Sequence, residues 1–309
     1  MPVNNQEYFV LLSFFFDFKN GAIQYSRNDI KVLHSECNFN NNTRTDRGGS
    51  VYFECNSSFV QNKICSLSSQ TTVTGSEGGH HSFSNSKDSS KLNFFYYSSI
   101  CLCGNEKSVK TISLFNGNIS VRSTNISQCT AYAVSGYGLH PLTDTTVSFC
   151  TIENTTCKPD HIVLGHYQYK PHFVSFCNIL NNKQSTTEFG MIYCNIVITI
   201  ENCSIFGNEG PSGFRLFSID FGYSFTVKNS YVQSSPSIPN GITTENIKAE
   251  EKYLTLSHLS TSKCEALIPI VNNDDNKIIK EEDDTFNPEY VKFIQSLFVP
   301  LSSPNITST

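Results

Sequence analysis

Few residues in this 309-residue chain have the types and spacing that chemistry needs. Cysteine is the most conspicuous. The tetrapeptide VSFC occurs twice, ending at Cys150 and Cys177, and Cys203 follows at a similar interval. In register, such thiols are within reach of a disulfide between neighbouring layers; Ser and Thr at equivalent positions elsewhere favour buried thiols instead. Cys101-Leu102-Cys103 is the only CxC, and no CxxC pair or Cys/His quartet has zinc-like spacing. His140 and His166 share an offset in the repeat described below, with Tyr193 next in the column. Tyr is a poor third metal ligand, so the three read as a surface aromatic ladder. Gly79-His80-His81 lies in a polar stretch without acidic neighbours in register. Asp160, Glu188 and Arg215 are the best acid/base grouping, but their offsets drift from coil to coil, as on a solvated outer edge. Asp274-Asp275 falls in an acidic tail. These readings assign no catalytic, cofactor-binding or metal-binding residue, and no cofactor.

Composition narrows the classes further. A net charge of −5 with 22 Lys+Arg and no dense basic cluster argues against nucleic-acid binding. Charged residues make up only 16 % of the chain, below the usual quarter. Asn, Ser and Thr carry the polarity, which favours turns and stacked strands over solvated helices. Twelve cysteines are too dilute for a small disulfide scaffold. Seven Asn-x-Ser/Thr sequons are about what this composition yields by accident, so they are silent on secretion.

The elements that must position these residues come from a repeat. With Cys150 as phase zero, equivalents fall at Thr124, Cys150, Cys177, Cys203, Ser230 and Ser257, spaced 26–27 residues. Three residues earlier stand Val121, Val147, Val174, Ile200, Val227 and Leu254; two residues later stand Ile126, Ile152, Ile179, Ile205, Val232 and Leu259. Short β-branched segments separated by Asn, Gly and Ser turns read as strands. A second strand-like run recurs at HIVLGH (161–166), GMIYCN (190–195) and GFRLFSI (213–219). Two or three short strands per period make one coil of a parallel β-helix. The predicted fold is all-β: a right-handed, single-stranded parallel β-helix solenoid of about 26–27 residues per coil. Inward columns must then repeat in shape. Stacked Cys, Ser and Thr suit a narrow corner, and Asn154, Asn181 and Asn208 suit its left-handed bend.

Upstream the pattern loosens. Cys37-Asn38-Phe39 and Ser57-Ser58-Phe59 match the small–x–apolar pattern, with weaker candidates at His81-Ser82-Phe83 and Ser99-Ile100-Cys101. A generous count gives about ten coils. Residues 1–20 read as an N-terminal strand or cap, 21–271 as the β-helix domain with a polar surface excursion over 71–91, and 272–309 as an acidic linker and helix. The apolar run YFVLLSFFF (8–16) lacks the flanks of a signal peptide and reads as a buried strand in an end rung. No run is long enough to span a bilayer. At the far end, Val291, Ile294 and Phe298 share one face of a short helix that would cap the solenoid, with a partner-binding or membrane-surface helix as the alternative.

Two upstream elements carry a family resemblance. Phe39 to Asn42 forms an F-x-x-N element, and Gly48-Gly49-Ser50-Val51 a Gly-Gly-small-aliphatic one, with Asn20-Gly21-Ala22-Ile23 as a degenerate copy. These resemble the GGA[ILV] and FxxN repeats of polymorphic outer-membrane proteins, which are also expanded among trichomonad surface-type proteins. The C-x-Φ-x-N coils are similar to the broader right-handed, pectate-lyase-like β-helix superfamily. The resemblance implies an extracellular or cell-surface, often adhesive protein, with host or matrix glycans or proteins as partners. It also raises a divergent polysaccharide lyase or hydrolase as the alternative. The Asn-Thr-Asp, Asp-Asp, Gly-His-Gly and Arg-Ile-Lys patterns of polygalacturonase-like enzymes are not assembled here, so a non-catalytic scaffold is the leading expectation.

Overall fold

The computed structural model describes residues 6–74, 78–107, 110–158, 162–166, 170–234 and 240–256. The chain is an all-β, right-handed parallel β-solenoid of about eight turns. Its three long sheets have ten, nine and eight strands, and every strand pair is parallel. The ten-stranded sheet numbers the turns: Gln6–Leu11, Ile30–Ser35, Ser58–Asn62, Leu92–Tyr96, Asn118–Arg122, Thr145–Ser148, His172–Ser175, Ile198–Glu201, Phe225–Lys228 and Ile242–Glu245. Only eight of these turns also carry a strand of the third sheet, so the expected ten coils shrink to about eight complete ones.

The corners explain how a 26-residue period closes. The residue just before phase zero is left-handed in every turn from Glu36 to Asn229, including Phe149 (φ 55°) and Phe176 (φ 52°). A second left-handed column stands five residues later, through Asn41, Gln128, Asn154 and Asn181. The two bends bracket the three-residue strands of the nine-stranded sheet. In the eighth turn Gly207 (φ 66°) takes this position, not Asn208, which follows it as an inward residue. A left-handed non-Gly residue costs roughly 1–2 kcal/mol, yet each keeps its ladder bond: Phe149 N–H donates to Ser175 O (3.1 Å) and Asn154 N–H to Leu180 O (3.1 Å).

The expected columns run through five turns as stacked interior. Val121, Val147, Val174, Ile200 and Val227 are in register, as are Ile126, Ile152, Ile179, Ile205 and Val232, and nearly all are fully buried. Each such side chain contributes about 1.5–3 kcal/mol, and only stacking supplies the apolar neighbours.

Four expectations change. The sixth copy does not form: Val227 pairs with Thr244, and Leu254 lies on the outside, bonded to Asn178. Alternating LTLSHLS suits any extended segment, so one more match to the columns was not decisive. Ser57-Ser58-Phe59 belongs to the ten-stranded sheet, because Phe39 is in register with Ser66 and then Ile100. Within 71–91, Ser82–Asn85 is a central strand of the third sheet, and His80 through Ser84 are fully buried instead of forming a surface excursion. Finally, the 8–16 run forms two strands instead of a buried one, and Leu11 (52 %), Leu12 (63 %) and Phe16 (48 %) are exposed. The acidic linker, the helix around 287–301, Asp274, Asp275, Ser257 and Leu259 lie outside the described residues. No helix among the described residues is long and apolar enough to cross a membrane.

Candidate functional site

The most unusual chemistry is inside. In the third turn the inward columns, aliphatic or aromatic in most other turns, carry Gln61, Ser66, Ser82 and Ser84, all within 1 % of complete burial. His34, one turn below in the Gln61 column, and His81, next to Ser82, extend this polar layer. It divides the apolar interior into a smaller cluster around Phe39, Phe53 and Phe59 and a larger one from Phe95 to Val232.

Several hydrogen bonds knit the layer. His34 Nε2 pairs with Tyr25 OH (3.0 Å), Gln61 Nε2 donates to Ser82 Oγ (3.4 Å), and Ser84 Oγ donates to Asn93 Oδ1 (2.6 Å). Ser66 and Ser50 both bond Ser69 Oγ, at 3.0 and 2.7 Å. The motif elements meet here too. Asn42 accepts from Phe18 N–H (3.1 Å) and donates to Phe15 O (3.1 Å) and Ser50 Oγ (3.3 Å). Gly49 admits no side chain, because a Cβ would stand 2.1 Å from His80 O. His34 Nδ1, Gln61 Oε1 and both ring nitrogens of His81 have no hydrogen-bond partner. Burial holds His34 and His81 down at about 3, so both imidazoles are neutral at physiological pH. Rings sealed at 0 % exposure cannot exchange protons with an outside substrate.

The cysteines are structural in the same sense. Cys150, Cys177 and Cys203 are reduced and buried, as their Ser/Thr-sharing column implied. Each thiol donates to the carbonyl two residues back, Ser148, Ser175 and Glu201, at 3.1–3.2 Å. Burial pushes Cys150 and Cys177 well above the ordinary thiol range, which removes the thiolate a nucleophile needs. A second inward column runs Asn42, Ser69, Cys103, Cys129, Thr155, Asn182 and Asn208. In it, Asn182 Oδ1 accepts from Thr155 N–H and Oγ–H, and Asn208 Oδ1 from Asn182 N–H.

The remaining candidates do not converge. His140, His166 and Tyr193 occupy three adjacent columns: Leu139 pairs with His166, and Gly165 with Tyr193. Bulges between Val134 and Tyr137 and between Lys110 and Ile112 shift the register that a constant offset would have kept. His140 instead stacks on Phe115, 4.0 Å between centroids, with Lys110 Nζ 2.7 Å from its Nε2. Glu188 and Arg215 are exposed, and Asp160 lies outside the described residues. Among the described residues no three His, Cys, Asp or Glu are grouped to hold a metal. An open depression of about 540 Å³, lined by Asn118, Thr143, Asp144 and Lys170 among others, brings in a single carboxylate. A glycosidase needs two.

What sequence reasoning missed is an outer surface. On the ten-stranded sheet, Ser120, Thr146, Phe173, Thr199, Thr226 and Thr243 form one outward row in strict register. Ser120 Oγ lies 3.2 Å from Thr146 Oγ1, and Phe173 is 47 % exposed. The signal was available one position before each Val/Ile of the first column. Comparison of the chain with protein-family models, curated proteins and solved structures returned no match.

Proposed function

We propose that this chain is a non-catalytic β-helix scaffold that binds an extended partner, a glycan or a protein segment, along the outer face of its ten-stranded sheet. The carrying observation is the regular row from Ser120 to Thr243, which offers hydroxyls and one exposed ring at the inter-strand repeat of about 4.8 Å. A rigid row of this kind contacts a linear ligand at many points without ordering new loops, so little entropy is lost on binding. His34, His81 and the corner cysteines Cys150, Cys177 and Cys203 point inward and are sealed. Cys65 is disulfide-bonded, which supports a surface or extracellular role, because such bonds persist in oxidising compartments. The adhesive reading rests on this support and on the FxxN and Gly-Gly-small elements around Asn42 and Ser50.

Binding to a panel of acidic and neutral polysaccharides, with and without calcium, tests the reading. Retention on at least one polymer without product formation is expected, and Phe173→Ala with Thr199→Asp should weaken it by about tenfold. Release of shortened or unsaturated products from polyuronates overturns the non-catalytic assignment. Equal binding by the double variant overturns the choice of face.

A further inference from the structure

We propose that Asn41 and Asn154 carry N-linked glycans, and that the Asn41 glycan screens the apolar surface of the first turn. Sequons at this frequency are expected by accident, so the case rests on where the fold puts them. Six lie within the described residues, at Asn41, Asn56, Asn118, Asn125, Asn154 and Asn202. Folding tolerates a branched oligosaccharide only where the amide reaches solvent. Asn125 is fully buried, Asn56, Asn118 and Asn202 are half-buried, and only Asn41 and Asn154 are exposed. In the Asn202 sequon the hydroxyl is sealed as well, because Ser204 is 0 % exposed. The two exposed sites are structural equivalents. Both stand in the second left-handed column (φ 51° and 52°). Each is followed by a fully buried inward residue, Asn42 or Thr155, and then by a partly exposed threonine, Thr43 or Thr156. Four turns separate them, about 19 Å along one edge of the solenoid. Asn181 shares this corner, but Lys183 stands where the hydroxyl is needed.

The surroundings of Asn41 supply an independent observation. Its neighbour in the corner column is Asp17, whose Oδ1 accepts a hydrogen bond from Asn41 Nδ2 at 2.6 Å. Asp17 lies between Phe16 and Phe18, 48 % and 44 % exposed, and Leu12 (63 %) and Phe14 (46 %) belong to the same turn. Half of the exposed large hydrophobics among the described residues fall between Tyr8 and Phe18. Apolar surface concentrated in this way calls for a cover or a partner, and a glycan on Asn41 stands at its edge. In the transfer, Asn41 Nδ2 bonds to the anomeric carbon of an oligosaccharide carried on a polyprenyl diphosphate. The bond from that carbon to the phosphate oxygen breaks, the polyprenyl diphosphate leaves, and Nδ2 gives up one proton. The second N–H remains and still donates to Asp17, so the corner contact survives modification. The disulfide at Cys65 fits passage through an oxidising compartment. That passage is all the proposal shares with the scaffold reading. A chain without glycans can still retain a polysaccharide, so the two fail separately.

Glycan mapping of the full chain, purified from the cells that make it, tests the assignment. Peptide-N-glycosidase in heavy-oxygen water converts each glycan-bearing Asn to a labelled Asp, which mass spectrometry locates. Label is expected at Asn41 and Asn154 and not at Asn125. An unlabelled Asn41 or Asn154, or a labelled Asn125, overturns it. Screening has its own readout, the fluorescence of the apolar dye ANS added to the native protein. Thr43→Ala removes the acceptor sequence and leaves Asn41 in its corner. Dye fluorescence should then rise at least about twofold, while Thr156→Ala should leave it unchanged. Equal fluorescence from the parent and from Thr43→Ala, once the variant has lost the Asn41 glycan and kept its β-sheet spectrum, overturns the screening role.

Discussion

Turns two to four and turns five to nine share one backbone path but fill it differently. In the later turns each column keeps one character: Val or Ile before the corner, Cys, Thr or Ser in it, Ile or Val after it. In the earlier turns the same positions hold His34, Gln61 and Phe95, then Cys37, Ile64 and Ser98, then Phe39, Ser66 and Ile100. Size and polarity are exchanged between columns, so each layer is still filled. A solenoid requires that each layer be packed, and it does not require that every layer be packed alike. What the early turns give up is the mutual support of identical neighbours, and they gain polar contacts that fix one register.

Substituting a charge into the uniform half should have the largest effect. Ile200→Asp places an unpaired carboxylate among Val174, Val227 and Cys203, and a loss of at least about 4 kcal/mol is expected, read as loss of cooperative thermal unfolding. A fall below about 1 kcal/mol would mean that this column is not the dry interior described.

Acid should act next. His34 and His81 protonate only near 3 when folded, His172 also at about 3, and His140 at about 2, all mainly through burial. The unfolded chain takes up these protons near 6.5. Between those limits the unfolded state binds more protons, so stability is full above about pH 6.5 and declines as pH falls toward 3. His81→Leu should flatten the profile measured by urea unfolding from pH 7 to pH 4. An unchanged slope would place His81 outside the core.

The smallest effect should come from removing polarity in the divided half. Gln61→Leu trades an amide with an unpartnered Oε1 for a side chain of similar size, so the change should lie within about 1 kcal/mol of zero, with a gain allowed. A loss of about 3 kcal/mol would show that the layer is a fully satisfied network.

The same contrast explains what could be read in advance. The later turns announce themselves because pure columns are visible in one dimension. Cys150, Cys177 and Cys203 were legible as a corner for that reason. The early turns were not, since Ile64 and Ser66 invert the small-then-apolar order and move the apparent repeat to Ser57. The buried strand Ser82–Asn85 reads as loop because its inward residues are serines whose partners, Gln61 and Asn93, come from other strands. His140 and His166 share an offset, but the register between their strands is irregular at Val134–Tyr137 and pairs His166 with Leu139. Leu254 matched a column while lying outside it. Offsets from a repeat identify neighbours only where every intervening layer has the same length.

Native-state amide hydrogen exchange compares the two halves most directly. The account predicts the slowest exchange in the strands from Asn118 to Lys228, with protection at least about tenfold lower in those from Ile30 to Asn85. Equal protection across the polar layer, or greater protection on its N-terminal side, would contradict it.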